Sequence, residues 1–175
     1  TMFATNYPGL VKACRELRHA SNIYRYEILR ALGGVYVDVD FECRKNIEPL
    51  LEGKTFVTAA QNDDITTLGY LNPAFFACEA GHRTMNRLVG ALPGAYDIGR
   101  TLPDAFSRSH FGPLLFTEIV KSDPSVTVYP RALFYPYGYD ELHRRDEAFP
   151  NAYAIHHWGS RRGSFAGKML KGWAE

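Results

Sequence analysis

Residues 20–40 read ASNIYRYEILRALGGVYVDVD, an amphipathic stretch that meets a glycine pair and passes into a β-branched run carrying two aspartates. Ile23, Tyr26, Leu29 and Leu32 recur at every third position and predict one apolar helical stripe, with Arg25, Glu27 and Arg30 elsewhere on the wheel. Ser21 or Asn22 would cap its start, because either side-chain oxygen accepts a bond from a free N–H of the first turn. Gly33-Gly34 would end it, since glycine enters the left-handed conformation of a C-terminal cap without steric cost. Val35 to Asp40 then reads as a buried strand, whose period-two geometry would put Asp38 and Asp40 on one face.

Two carboxylates on one face need a partner. Oxygen ligands suit a hard divalent cation, and Mg²⁺ or Mn²⁺ held by one or two carboxylates completes its shell with water and phosphate. The pattern therefore points to a phosphorylated substrate. A bare D-x-D is common at solvated strand ends, so its surroundings decide how it is read.

Those surroundings resemble the sugar-binding region of the DXD-containing glycosyltransferases, a family that includes yeast-type initiating mannosyltransferases, α-galactosyltransferases of glycolipid synthesis and, more distantly, the glucosylating toxins. Ala20-Ser21-Asn22-Ile23-Tyr24-Arg25 followed by Gly33-Gly34-Val35-Tyr36-Val37-Asp38-Val39-Asp40 is similar to the family signature. Further blocks follow in the family order: His110-Phe111-Gly112-Pro113 with Thr117, then Phe134-Tyr135-Pro136, then Tyr153-Ala154-Ile155-His156-His157-Trp158.

The resemblance implies an α/β fold, the GT-A type nucleotide-sugar (Rossmann-like) sandwich, with the site at the carboxyl ends of its strands. Relatives open with a strand that holds the base, and Thr1 to Asn6 does not read as one. The expectation is a single catalytic domain over 1–175, N-terminally truncated and lacking that first strand.

Site roles follow from the same resemblance. Asp40 and Asp38 are expected to hold the cation, Asp38 also reaching the ribose or a metal-bound water, with His156 completing the metal site. Asp38, Asp40 and Arg25 form the catalytic set. Asn22, Arg25, Tyr36, Asp38 and Asn72 form the donor-binding set, Asn22 standing where relatives have aspartate and therefore able to donate as well as accept. On a strand, His156 shares a face with Ala154 and Trp158, while His157 points the other way with Ile155. Asp63-Asp64 reads as a loop near the acceptor side or as plain solvated loop. Ser164-Phe165 stands where relatives end in Ser-Trp, behind an inserted Arg161-Arg162.

The implied activity is a retaining glycosyltransferase that moves a hexose from a UDP- or GDP-sugar, with Mn²⁺ or Mg²⁺, to a glycan, glycolipid or other hydroxyl acceptor, as in polysaccharide biosynthesis. Double displacement would need a carboxylate beside the anomeric carbon. No residue of the sequence identifies itself for that role, and front-side attack is the alternative. Two rivals remain: a metal-dependent phosphohydrolase, which would gather further carboxylates at the metal, and a non-catalytic sugar-binding domain, which would suit eleven Tyr and eleven Phe.

Composition bounds these readings. With 175 residues, 46% hydrophobic, the chain supports one core. A net charge of +1 with interspersed signs leaves no footprint for nucleic acid; the local basic excess is Arg161, Arg162, Lys168 and Lys171. Cys14, Cys43 and Cys78 are too scattered for a disulfide framework or zinc site and are expected reduced and buried. No apolar run reaches membrane-spanning length, so a cytoplasmic chain, or one peripheral to a membrane, is expected.

Remaining elements alternate. Helices are predicted over 7–18, 80–90 and 113–121, and strands over 56–60, 70–78 (interrupted at Asn72-Pro73), 126–129 and 153–157.

Overall fold

The computed structural model describes residues 4–14, 17–63, 69–100 and 111–159. Asp64, His110, Arg161, Arg162, Ser164, Phe165, Lys168 and Lys171 lie outside them. In chain order the elements are α1 (Pro8–Ala13), α2 (Leu17–Leu32), β1 (Gly34–Val37), β2 (Phe41–Cys43), α3 (Glu48–Leu51), β3 (Phe56–Ala60), β4 (Leu71–Cys78), α4 (Arg83–Arg100), α5 (Pro113–Lys121), β5 (Thr127–Tyr129) and β6 (Ala154–His156).

The architecture is α/β, as expected. A mixed four-stranded sheet runs β1-β4-β3-β5, with β4 antiparallel to β1 and β3 and β5 parallel to β3. It is compatible with the nucleotide-sugar fold that the resemblance implies. β2 and β6 form a separate antiparallel ribbon, so the strand predicted over 153–157 forms, as Ala154–His156, outside the main sheet.

The two central strands are buried on both faces, and their period of two divides the core. Phe56 and Phe76 pack with Ile23, Tyr26 and Leu29 of α2, Met85, Leu88 and Leu92 of α4 and Phe116 of α5. Val57, Ala59, Phe75 and Ala77 face the other way, onto Phe134, Tyr135, Ile155 and Trp158. The Phe75 and Phe134 rings stack with centroids 3.8 Å apart.

Several expectations are corrected by these neighbours. The predicted helix over 7–18 breaks after Ala13, where Cys14 turns extended, and α2 begins again at Leu17. Ser21 and Asn22 therefore lie inside α2 and cap nothing. Leu32, placed on the apolar stripe, is 70% exposed, because the stripe loses its partner at the end of α2. Glu27 and Arg25, placed off the stripe, are buried. Glu27 accepts from the Asn6 backbone N–H and Nδ2, each at 2.7 Å, and from the Thr5 hydroxyl, fastening the N-terminal segment to α2.

Gly33 and Gly34 both adopt positive φ, 66° and 100°, as the helix stop requires. β1 is not the buried strand expected. It lies at the sheet edge, with Val35 and Val37 nearly half exposed, and it ends at Val37.

The strand over 70–78 is continuous but bulged near Asn72-Pro73, where its register with β3 shifts. α4 runs well beyond the predicted 80–90 and contains Pro93. Among the cysteines Cys78 is buried, Cys14 half-buried and Cys43 exposed, against the expectation that all three are buried. Among the described residues no helix is long and apolar enough to cross a membrane.

Candidate functional site

The site forms where β1 gives way to the ribbon. After Val37 the chain makes a tight turn, closed by the Phe41 N–H on the Asp38 carbonyl, and Val39 at its tip is fully exposed. Asp38 and Asp40 thus reach a common place by a turn and not, as predicted, by strand pleat. The antiparallel pairing of β2 and β6 sets Phe41 opposite His156 and brings the histidine to the same place. One ligand atom from each of Asp38, Asp40 and His156 lies within 4.8 Å of the others.

Asp38 is held from beneath. Its backbone N–H donates to the Ala74 carbonyl on β4 at 2.8 Å, and Oδ1 accepts from the Tyr36 hydroxyl at 2.7 Å. Arg25 Nη2 stands 3.1 Å from the same oxygen. Nη2 also donates to Ser21 Oγ and Nη1 to the Pro73 carbonyl, while the guanidinium lies 4.3 Å from the Tyr36 ring centroid. At 6% exposure this arginine is a buried bracket joining α2, β1, β4 and the turn. Burial pushes the Tyr36 hydroxyl up to about 12, so it stays protonated and donates.

Asp40 is held from the far side. Its Oδ2 accepts from the Gly159 N–H, and its backbone carbonyl from the His157 N–H at 2.9 Å. Trp158, between those two donors, adopts φ 54°, a conformation costing a bulky residue about 1–3 kcal/mol that marks a place where backbone shape has been fixed for another purpose. Burial would raise the Asp40 carboxyl, but His156 and the Gly159 amide outweigh it and leave the group below the ordinary carboxylate value.

His156 is buried among the rings of Phe41, Tyr135 and Trp158, with centroids 4.7, 5.7 and 4.3 Å away. Nε2 is 3.1 Å from Asp40 Oδ1 as an ion-pair contact, and neither ring nitrogen makes a hydrogen bond among the described residues. A buried imidazole rarely lacks both bonds. Two carboxylates beside an unsatisfied ring nitrogen make a donor set that fits a divalent cation.

The other expected residues are held by contacts of their own. Asn22 is buried in α2, one turn before Arg25 and Tyr26. Asn72 donates to Gln61 Oε1 and accepts from the Ala74 N–H, fixing the bulge of β4. Asp63 is 84% exposed, with Arg131 3.4 Å away.

The downstream sequence blocks pack the site. Thr117 bonds both the N–H and the carbonyl of Leu71, tying α5 to β4, and the Tyr135 hydroxyl donates to the Asn72 carbonyl. Sequence reasoning missed the wall that Tyr135 and Trp158 make around His156. It also missed Glu42 and Tyr137, which grip His157; their signal, a glutamate diagonal to the second histidine on one face of the ribbon, appears only once β2 and β6 are paired.

Residues 3–57, which include both aspartates, match the family model of the glycosyltransferase sugar-binding region containing DXD motif. The match ends inside β3 and agrees with the family that the sequence resembles. The matched segment, about a third of the chain, is similar to that sugar-binding region. No curated protein matches the chain.

Proposed function

We propose that this protein is a retaining glycosyltransferase that moves a hexose from a UDP- or GDP-sugar to a hydroxyl of a glycan, glycolipid or similar acceptor. One observation carries the reading: Asp38, Asp40 and a buried, unsatisfied His156 converge within the segment that matches the sugar-binding region. Asp40 and His156 would hold a divalent cation, with Asp38 as a further ligand or a contact to the ribose. Two carboxylate oxygens and one imidazole nitrogen favour Mn²⁺ over Mg²⁺, which prefers oxygen alone. When bound, such a cation neutralises the diphosphate leaving group.

The chain's own residues prepare that place. Arg25 and Tyr36 fix Asp38, and the Gly159 amide fixes Asp40, so neither carboxylate has to be reoriented when the donor arrives. Tyr36, Asn22 and Asn72 would contact the donor, and the bond from Asn72 to Gln61 would orient that amide in advance. A phosphohydrolase would favour further carboxylates, whereas the third member here is a histidine.

Calorimetric titration of the folded protein with UDP and with GDP, with and without Mn²⁺, tests the reading. Binding of one nucleotide that needs Mn²⁺ and disappears in Asp40→Ala is the expected result and identifies the donor class. Nucleotide binding indifferent to Mn²⁺, or none at all, overturns it.

A further inference from the structure

We propose that Glu42, acting through His157 and Tyr137, is a positioning residue for the metal site, a clasp that keeps Asp40 and His156 together; the inference rests on the proposed metal site. His157 is buried, with Nε2 2.9 Å from Glu42 Oε2 and Nδ1 2.9 Å from the Tyr137 hydroxyl. A carboxylate only accepts, so in the neutral imidazole Nε2 carries the proton toward Glu42 and Nδ1 accepts from the Tyr137 hydroxyl.

The need for a clasp follows from the ribbon. β2 and β6 contribute three residues each, and a two-stranded ribbon of that length is marginal by itself. Both metal arms sit at one end of it: Asp40 immediately precedes β2, and His156 is the last residue of β6. Fraying there separates the two ligands.

The faces of the ribbon divide the work. Phe41 and His156 meet on one, by ring contact. Glu42, Ile155 and His157 share the other, where Glu42 fastens His157 diagonally and the His157 N–H closes the last rung on the Asp40 carbonyl. The Glu42–His157 pair is thus a side-chain tie across the end of the ribbon that carries both metal arms, next to the bond from the Gly159 N–H to Asp40. Residues that orient a ligand without touching the metal ordinarily change metal affinity by about 10–100-fold when removed.

The test follows Mn²⁺ alone, by the loss of its free-ion electron paramagnetic resonance signal, in the intact protein, Glu42→Ala, Glu42→Gln and Tyr137→Phe, with thermal melting measured alongside. Glu42→Ala is expected to weaken Mn²⁺ binding about 10–100-fold. Glu42→Gln, whose amide oxygen still accepts from Nε2–H, is expected to recover most of it. Tyr137→Phe leaves the ring packed and is expected to weaken binding as well, and it decides the matter if Glu42→Ala fails to fold.

Wild-type affinity in folded Glu42→Ala, or in Tyr137→Phe where Glu42→Ala does not fold, overturns the clasp and leaves the metal site standing. Glu42→Gln as weak as Glu42→Ala overturns it too, because charge and not the hydrogen bond would then be responsible. Failure of the wild-type protein to bind Mn²⁺ removes the metal site and the clasp together.

Discussion

Phe41 and His156 are register partners across β2 and β6, with ring centroids 4.7 Å apart, and this pairing carries a histidine more than one hundred residues distant in sequence to the turn that holds both aspartates. Neither half makes the candidate donor set alone. The turn supplies oxygen ligands fixed by Arg25, Tyr36 and Gly159, and the ribbon supplies an imidazole desolvated by Phe41, Tyr135 and Trp158.

Arg25 holds Asp38, so its replacement should be felt at the proposed metal site. Arg25→Lys keeps the charge but cannot span Ser21, Pro73 and Asp38 with one planar fork. Mn²⁺ affinity is expected to fall about tenfold or more, with a stability loss of about 2 kcal/mol from the Pro73 carbonyl left without its donor. Calorimetry and urea denaturation read the two effects separately, and unchanged Mn²⁺ affinity would show that the bracket is structural alone.

Gly33 and Gly34 should differ in their tolerance of alanine although both have positive φ. A Cβ on Gly33 would stand 2.6 Å from the Ala80 nitrogen and 2.9 Å from the Cys78 carbonyl, backbone atoms that cannot swing aside, whereas one on Gly34 meets open space. Gly33→Ala is expected to cost about 3 kcal/mol and Gly34→Ala about 1–2 kcal/mol, the strain of left-handed backbone alone. At roughly 2–4 °C per kcal/mol, melting temperatures resolve the difference, and equal losses would refute the close approach.

Acid should weaken the fold through Asp123. Its buried carboxylate accepts from Arg83, Thr84 and Ser125, and the Arg83 hydrogen bond foremost holds it far below the ordinary carboxylate range. Glu141, gripped first by Arg131 and also by the Gly138 amide, is lowered to about 2. A carboxyl depressed in the folded state stabilises it above the unfolded value, near pH 4, and loses that contribution as pH falls toward the folded value. Asp123→Asn, which resembles the protonated acid, should be about 2 kcal/mol less stable at pH 7, and the gap to wild type should narrow below pH 4. Urea midpoints from pH 7 to pH 3 check this; a gap that does not narrow would assign the loss to packing.

Local chemistry made much of this protein legible from its residues. The Gly33-Gly34 stop, the strands over 56–60 and 70–78 and the helix over 113–121 depend on backbone conformation and short-range periodicity, which neighbouring residues dictate. The same is true of Asp38 and Asp40 as a pair, since two residues apart they remain close whether strand or turn joins them. His156 was legible only through the resemblance, because one histidine near the chain end carries no spacing signal of its own.

Tertiary structure decided the rest, through contacts that periodicity does not encode. Arg25 and Glu27 fall off the apolar stripe, yet they are buried because Asp38, Pro73, Thr5 and Asn6 arrive to satisfy them. Leu32 belongs to the stripe, yet it is exposed because none of the described residues covers it at the end of α2. Val35 and Val37 are strand formers left half exposed at an edge, since β-propensity specifies a pleated backbone but not a second neighbour. The sequence by itself determined which groups could bind a cation; the antiparallel pairing of β2 with β6, a long-range contact, determined that two carboxylates and a dry imidazole would share one place.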